Sequence, residues 1–300
     1  MRYGRSRLLA AASASVLALG LAACSSSGSN ASGSSGPAGG SSAAAAVVEA
    51  SAALLPSDVR SRGYITIATD PTYPPLESAD TASGELKGME IDLGNKLAAD
   101  LGLKVKWTKV AFNSIVPGLQ AGRYDLALSG FWVFPDRVKV VSMITYFKSG
   151  SQYMVKAGNS LAVNSREDLC GQTVALESGS SEISMNTDES KKCEAAGKTA
   201  ITIQTYQTQD QANLAVTSGR AATTGVGAEV AGYTVQTFKG LSLAGGIFDS
   251  SPAGVAFPKN SPLLKAFQAA FNDLKANGTL SSLFGQYGIS DQQVDVSLNQ

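Results

Sequence analysis

Residues 115–141 read IVPGLQAGRYDLALSGFWVFPDRVKVV and place a helix, a strand and a loop in succession. The first part predicts a short helix broken near its proline, and DLALSG (125–130) predicts a largely apolar strand that ends in glycine. The loop after this strand carries two aromatic residues, Phe131 and Trp132, ahead of a lone arginine, Arg137. The loop is either a surface turn at its Pro-Asp pair or a segment that directs the guanidinium N–H donors of Arg137 into a cleft.

Strands and helices also alternate before this stretch. YITIAT (64–69) and KVKWTKV (104–110) alternate apolar and polar residues, as strands do. Between them, MEIDLGNKLAADLGL (89–103) repeats apolar residues every four positions and predicts an amphipathic helix. The order strand, helix, strand, helix, strand implies parallel pairing through crossover connections, which is an α/β layer.

A second α/β unit follows from about residue 150. TVALES (173–178) and AITIQTY (200–206) predict strands, DQANLAVTSG (210–219) predicts a helix, and AATTGVG (221–227) is a weak strand candidate. The chain after GVAFP then shows a helix with one apolar face and, by its pattern, no strand of its own. We therefore expect this last segment to cover a sheet built earlier.

A chain that builds one α/β unit, then another, and then returns predicts two lobes. We place residues 56–149 and 250–300 in the first lobe and residues 150–249 in the second. Two crossing segments, near 147–152 and 249–254, would join the lobes and act as a hinge. The cleft between them would lie at the carboxyl ends of the strands, where open α/β sheets bind ligands.

Composition excludes several classes of function. The 24 basic and 24 acidic residues balance, which argues against a nucleic-acid partner. The sequence has no histidine, so it lacks the usual general base and the commonest metal ligand. With three cysteines and no CxxC pair, a zinc or iron–sulfur site is not expected. We expect no metal, no cofactor and no enzymatic activity.

The N-terminus predicts export and a lipid anchor. Three arginines precede the apolar run LLAAASASVLALGLAAC (8–24), which is too short and too rich in alanine and serine to span a bilayer. Its end resembles the bacterial lipobox, in which the cysteine, here Cys24, is acylated. We expect a signal peptide at 1–23, a flexible Ser/Gly/Ala tether at 24–55, and a location on the extracellular face of the cell membrane. An ordinary secretory signal with a chance cysteine is the alternative.

The two other cysteines, Cys170 and Cys193, would then meet an oxidising compartment. A disulfide between them would close a loop of about 23 residues and add roughly 3 kcal/mol through chain entropy. Two separate buried thiols are the alternative.

Residues 60–290 resemble the amino-acid-binding proteins of ABC importers, the family 3 extracellular solute-binding proteins. Segments that fall in family order are ITIATDPTYPPLE, GELKGMEIDLGNKLAADLG, IVPGLQAGRYDLALSG, PDRVKVV, LCGQTVALESGSSE, NLAVTSGRA and FNDLKANGTLSSLFGQYGI. The resemblance implies a periplasmic-binding-protein-like fold of type II, a small-molecule ligand bearing a carboxylate, ABC permease subunits as partners, and a monomer. SKKCEAAGK and the cysteine arrangement are similar to a lipid-anchored, actinobacterial-like subgroup.

The resemblance also implies which residues contact the ligand. They are Asp70, Tyr73, Phe112, Ser129, Gly130, Trp132, Arg137, Gly179, Ser181 and Gly227. Arg137 would clamp the ligand carboxylate together with Ser181, while Tyr73 and Phe112 would form walls and Asp70 would hold a cationic ligand side chain. Arginine suits this role because its planar fork bonds a carboxylate bidentately and keeps its charge.

Two positions depart from the family pattern. Trp132 stands where the family has Ser or Thr, and Gly227 stands where it has the aspartate that pairs with the ligand's ammonium. Because a buried, unpaired ammonium is costly, these changes predict an amino-acid derivative or another organic acid rather than a standard amino acid. Glu229 is an alternative source of the missing carboxylate, but on a regular first helical turn we expect it to face water.

Two other functions remain on the same fold. A cyclohexadienyl-dehydratase-like enzyme would use a cleft carboxylate, Glu182 or Glu229, as a general acid. A ligand-sensing lipoprotein would use the same cleft to signal occupancy.

Overall fold

A computed structural model describes residues 49–299. The predicted signal peptide, Cys24 and most of the tether lie outside the described residues. The strands, in chain order, are β1 (Tyr64–Thr69), β2 (Thr72–Tyr73), β3 (Glu77–Ala79), β4 (Leu86–Lys87), β5 (Lys104–Lys109), β6 (Leu126–Ala127), β7 (Val141–Lys156), β8 (Thr173–Glu177), β9 (Thr202–Tyr206), β10 (Thr223–Gly227), β11 (Leu241–Leu243), β12 (Phe248–Pro258) and β13 (Gln293–Asn299).

Helices cover these strands. They are α1 (Ser57–Arg62), α2 (Met89–Asp100), α3 (Phe112–Gln120), α4 (Pro135–Val140), α5 (Ser181–Ala195), α6 (Gln209–Thr217), α7 (Ala228–Thr237), α8 (Leu264–Ala276) and α9 (Thr279–Gln286), with short 3-10 helices at Arg166–Leu169 and Ser290–Gln292. No helix within 49–299 is long and apolar enough to cross a membrane.

The large sheet runs through both lobes in the order β5-β1-β6-β12-β7-β10-β8-β9. Parallel pairs dominate its two ends, where β1 lies between β5 and β6, and β8 lies between β10 and β9. These parallel pairs with intervening helices confirm the predicted α/β architecture of two lobes. The weak strand candidate at 221–227 contains β10, whose five residues are all buried.

Two antiparallel strands connect the lobes. β7 is 16 residues long, and it pairs with β12 from Val141 to Ser151. Beyond that point its other residues pair with β10 and β11 in the second lobe. The predicted crossing segments, 147–152 and 249–254, therefore lie side by side in the sheet, and the pairing register shifts between Phe248 and Ser251.

Two expectations about the ends of the folded region are wrong. The last segment does contain a strand, β13, which pairs with β7 near residues 143–147. Its signal is the alternation of apolar residues in QVDVSLN (293–299). The tether also ends earlier than residue 55, because residues 49–53 are helical and Leu55 is buried in the core, 4% exposed.

The core of the first lobe is formed by strands packed against helices. Ile65 and Ile67 of β1 are fully buried, in one cluster with Leu93 and Leu97 of α2. A smaller cluster lies in the second lobe and includes Cys193 of α5, which forms a disulfide with Cys170. The disulfide fixes α5, and the start of this helix faces the cleft.

Candidate functional site

A cavity lies between the two lobes at the carboxyl ends of the strands. The empty space inside it is about 450 Å³, a figure that includes the part open to solvent. Seven of the ten residues predicted to contact a ligand line it: Tyr73, Phe112, Gly130, Trp132, Arg137, Ser181 and Gly227. The cavity is also lined by Leu76, Ser180, Glu182, Gly225, Val226, Glu229 and Val230.

Hydrogen bonds join the lobes across this cavity. Asn113 of the first lobe donates its side-chain N–H to the hydroxyl of Ser178 at 3.2 Å. Arg137 Nη1 lies 3.2 Å from the hydroxyl of Ser181. The hydroxyl of Tyr73 donates to the carboxylate of Glu177. The cleft is therefore closed.

Arg137 lies on the short helix α4 and faces the cavity. Its Nη1 donates to the carbonyl of Trp132 at 2.8 Å, and its guanidinium carbon lies 5.1 Å from the centre of the Phe131 ring. Burial lowers the pKa of Arg137 to about 10. Among residues 49–299, no carboxylate lies within ion-pair distance of this guanidinium. A half-buried guanidinium without a counter-ion favours an anion supplied from outside.

The second lobe presents the N-terminus of α5 to the same place. Ser181 is the first residue of this 15-residue helix, and its hydroxyl is within reach of Arg137. The first turn of a helix leaves backbone N–H groups without intrahelical partners, and these groups stabilise an anion. Arg137 and the start of α5 together form a candidate anion site divided between the lobes.

Gly179 does not line this cavity, but it lines an adjoining space together with Arg137 and Ser181. Its φ is +85°, and a Cβ there would lie 2.9 Å from the Cα of Asn113 in the other lobe. Glycine is therefore required here for the backbones of the two lobes to approach each other.

Asp70 and Ser129 also lie outside the cavity lining, because their polar atoms are used within the first lobe. The carboxylate of Asp70 accepts the backbone N–H of Phe112 at 2.8 Å and the hydroxyl of Thr72 at 2.9 Å. The hydroxyl of Ser129 accepts the backbone N–H of Asp70 at 3.0 Å and donates to Glu77 at 3.1 Å. These two residues hold the β1–β2 turn and the start of α3 in place.

Gly130 lines the cavity, but its backbone N–H is not available to a ligand. It donates to Glu90 at 2.9 Å, and Glu90 in turn accepts from the hydroxyl of Tyr146. The helix after this loop begins five residues later, at Pro135.

Aromatic side chains form one wall of the cavity. Tyr73 and Phe112 lie 5.8 Å apart between ring centres, and Phe112 stacks on the fully buried Phe131 at 4.9 Å. Trp132 lines the cavity separately and pairs by its backbone with Ala253 of β12. The Trp132 side chain thus lies beside a strand that connects the lobes.

Glu229 faces the cavity, so the expectation that it faces water is wrong. It is 7% exposed, and its carboxylate accepts a hydrogen bond from Ser149 of β7. A Cβ built on Gly227 would lie 2.5 Å from Glu229 Oε1. The Glu229 carboxylate therefore occupies the space that a side chain at 227 would fill. Burial raises the pKa of Glu229 to about 7.

A further carboxylate, Glu177, lies where the Tyr73 hydroxyl reaches the second lobe. It is 1% exposed, and its Oε1 has no hydrogen-bond partner among the described residues. Burial, and after it the charge of Asp70, raises the pKa of Glu177 to about 9. Glu177, the last residue of β8, was not among the residues that the sequence predicted for the site.

The two lobes, the shared strands and the divided anion site define a protein that encloses a small solute. The sequence model of the bacterial extracellular solute-binding proteins, family 3, matches residues 65–290. The chain belongs to this family.

Relatives of known binding properties resemble the chain over most of its length. The arginine-binding protein ArgT of Corynebacterium glutamicum is 31% identical over 248 residues, which cover 82% of this chain and 81% of that protein. The structure of an ancestral arginine-binding protein bound to arginine is 30% identical, with a TM-score of 0.68, and covers 75% of this chain and 98% of that one.

A third relative is described as an ancestral amino-acid-binding protein, AncCDT-1, a precursor of cyclohexadienyl dehydratase. It is 28% identical with a TM-score of 0.67, and the match covers 77% of this chain and 97% of that one.

Proposed function

We propose that this protein captures a free amino acid by closing its two lobes and delivers it to an ABC importer. The observation that carries the proposal is that Arg137 and Glu229, of opposite charge and from different lobes, line one closed cavity. The α-carboxylate of the ligand binds Arg137 and the start of α5. The α-ammonium binds Glu229.

The position of Glu229 removes the reason to prefer a ligand without a free ammonium. That preference rested on Gly227, which cannot neutralise a cation. Glu229 reaches the same space from two residues further along the chain. A zwitterion can pair with Arg137 and with Glu229 at once, whereas a simple organic acid leaves Glu229 without a cation in the closed cleft.

The side chain of the ligand is proposed to carry a positive charge. Tyr73 extends from the cavity towards Glu177, which also feels the negative charges of Asp70 and of the exposed Asp210. A cation near the Tyr73 hydroxyl would stabilise the ionised form of Glu177, whose Oε1 lacks a partner. The arginine-binding relatives support the same class of ligand.

Titration calorimetry on the purified folded region tests this proposal with L-arginine, L-lysine, L-glutamine and L-glutamate. We expect the two cationic amino acids to bind at least about tenfold more tightly than L-glutamine, and L-glutamate to bind weakest. Glu177→Gln should reduce the ratio of the affinities for the cationic amino acids and for L-glutamine. Glu194 is an exposed residue of α5, and Glu194→Gln should leave this ratio unchanged. If none of the four amino acids binds, the proposal is wrong.

Binding without chemistry is the function that the cleft supports. Of the two candidate acids, Glu182 is ion-paired with Arg166 at 2.6 Å, and Glu229 is assigned to the ligand ammonium. A proton donor to substrate would need a carboxyl group free of such partners.

We further propose that the chain is anchored to the outer face of the cell membrane through Cys24 and works there with permease subunits. The lipobox-like LAAC (21–24) and the Ser/Gly/Ala-rich stretch that follows support this location. Mass spectrometry of the protein extracted from membranes should find a diacylglyceryl cysteine as the first residue. Release of unmodified protein into the medium, with Cys24→Ser behaving like the natural chain, would contradict the anchor.

A further inference from the structure

Arg166 lies outside the cavity, buried in the second lobe at the start of a 3-10 helix and 7% exposed. Its Nη1 contacts Glu182 Oε2 at 2.6 Å, and its Nε contacts Asp249 Oδ2 at 2.7 Å. Its Nη2 donates to the hydroxyl of Ser151 at 2.6 Å, and its Nη1 donates to the hydroxyl of Tyr153 at 2.8 Å. Nothing in the sequence pattern singled out this residue.

The network holds a residue that lines the ligand cavity. Glu182 follows Ser181 directly in the first turn of α5, at the anion site. An ionised carboxylate at that point repels a ligand carboxylate. The Glu182 carboxylate is instead held on the β7 side, where it accepts from Ser151 at 2.6 Å and from Tyr153 at 2.8 Å.

Charge in this cluster depends on one cation. Glu182 is almost fully buried, and Asp249 is 43% exposed at its side chain. Burial lowers the pKa of Arg166. The negative charge of Glu182, with the other groups around the guanidinium, raises this pKa by more than burial lowers it, so the pKa of Arg166 lies above its usual value. Without Arg166, two carboxylates would share the site, and Tyr153 and Asn186 could offer them only neutral hydrogen bonds.

We propose that Arg166 is the positioning residue of the ligand-carboxylate site. It turns the Glu182 carboxylate away from the cleft and cancels its charge, so that Arg137 and Ser181 meet an incoming anion without repulsion. This inference rests on the proposed function, because it takes the ligand to carry a carboxylate at Arg137.

The same guanidinium also contacts both strands that connect the lobes. Ser151 lies on β7 at the crossing, and Asp249 lies on β12 with a φ of +53°, which is uncommon for a residue other than glycine. Arg166 thus fixes the first turn of α5 relative to the crossing strands. When the lobes close, Ser181 is carried to Arg137 in a set orientation.

The test compares Arg166→Met, Glu182→Gln and the double variant, using L-arginine and L-argininamide as probes in titration calorimetry. L-Argininamide keeps the α-amino group and the guanidinium but replaces the carboxylate with a neutral amide. We expect Arg166→Met to weaken L-arginine binding on the order of 10- to 100-fold, from one uncancelled charge at an effective dielectric of about 20. Binding of L-argininamide should fall much less. The exposed Arg220→Met serves as the matched control.

Recovery of binding by a second substitution distinguishes cancellation of the Glu182 charge by Arg166 from a purely structural role of Arg166. Adding Glu182→Gln to Arg166→Met should recover most of the L-arginine affinity, because the repelling charge is gone. Arg166→Lys, which keeps the charge but not the fork, should lose less than Arg166→Met, and it serves as the second variant if Arg166→Met does not fold. Equal losses for both probes, or a double variant that folds but binds as poorly as Arg166→Met, would overturn the inference.

Failure of the proposed function has a different signature. If wild-type protein binds neither probe, the amino-acid ligand is wrong. The role of Arg166 is then decided by denaturant unfolding of the ligand-free variants. Arg166→Met should be strongly destabilised, and Glu182→Gln should restore part of that stability. The absence of this coupling would overturn the inference on its own.

Discussion

Arg137→Met is expected to abolish measurable amino-acid binding while the protein stays folded. The variant removes the fork that bonds the ligand carboxylate, and each hydrogen bond to a charged group contributes about 1.5–3 kcal/mol. Loss of two such bonds weakens binding about 10²- to 10⁴-fold. Titration calorimetry with L-arginine measures the loss directly.

The unfolding free energy of the same variant separates binding from folding. Arg137 is half-buried and has no carboxylate partner among the described residues of the closed, ligand-free cleft, so methionine should leave ligand-free stability unchanged or raise it. Arg123→Met, at an exposed arginine of the same lobe, should change neither binding nor stability. Undiminished affinity in Arg137→Met would show that the carboxylate binds elsewhere.

Glu229→Gln is expected to weaken amino-acid binding about 30- to 5,000-fold, because losing one partner of a buried charge pair costs about 2–5 kcal/mol. The amide has nearly the same shape as the carboxylate, but it brings an N–H donor towards the ligand's ammonium. A ligand that lacks the α-ammonium, such as the deamino analogue of L-arginine, should lose no affinity. A loss of equal size for both ligands would contradict the assignment of Glu229.

Moving the carboxylate from residue 229 to residue 227 also tests whether Glu229 binds the ligand's ammonium, this time by recovery of binding. Gly227 has φ −57° and ψ 142° and precedes α7, a position where aspartate is favoured as a helix cap. Gly227→Asp alone should weaken binding, because its Cβ would lie 2.5 Å from Glu229 Oε1. Gly227→Asp combined with Glu229→Ala should recover most of the wild-type affinity. Tighter binding by the single variant would show that Glu229 does not serve the ammonium.

Much of the fold could be predicted from local patterns. Alternation in YITIAT (64–69) and KVKWTKV (104–110), with the four-residue repeat between them, gave β1, β5 and α2. The family segments then gave the two lobes. β13 was missed because seven alternating residues predict a strand only weakly. Its pairing with β7, which is far away in sequence, is visible only in the structure.

A site residue could be predicted from the sequence only where its own side-chain chemistry indicates its role. Arg137 could be predicted because the charge and the paired N–H donors of its guanidinium suit a carboxylate. Glu229 was named as an alternative source of the carboxylate, but its direction was predicted wrongly, because the helical period alone does not show that its carboxylate accepts from Ser149, 80 residues earlier in the chain. Arg166 and Glu177 likewise owe their roles to partners far away in sequence.

The most direct measurement is a crystal structure of the natural chain's folded region grown with L-arginine. The account predicts the ligand carboxylate within hydrogen-bonding distance of Arg137 and Ser181, and the α-ammonium on the Glu229 carboxylate. A bound ligand with its carboxylate away from Arg137, or with its ammonium out of reach of Glu229, would contradict it.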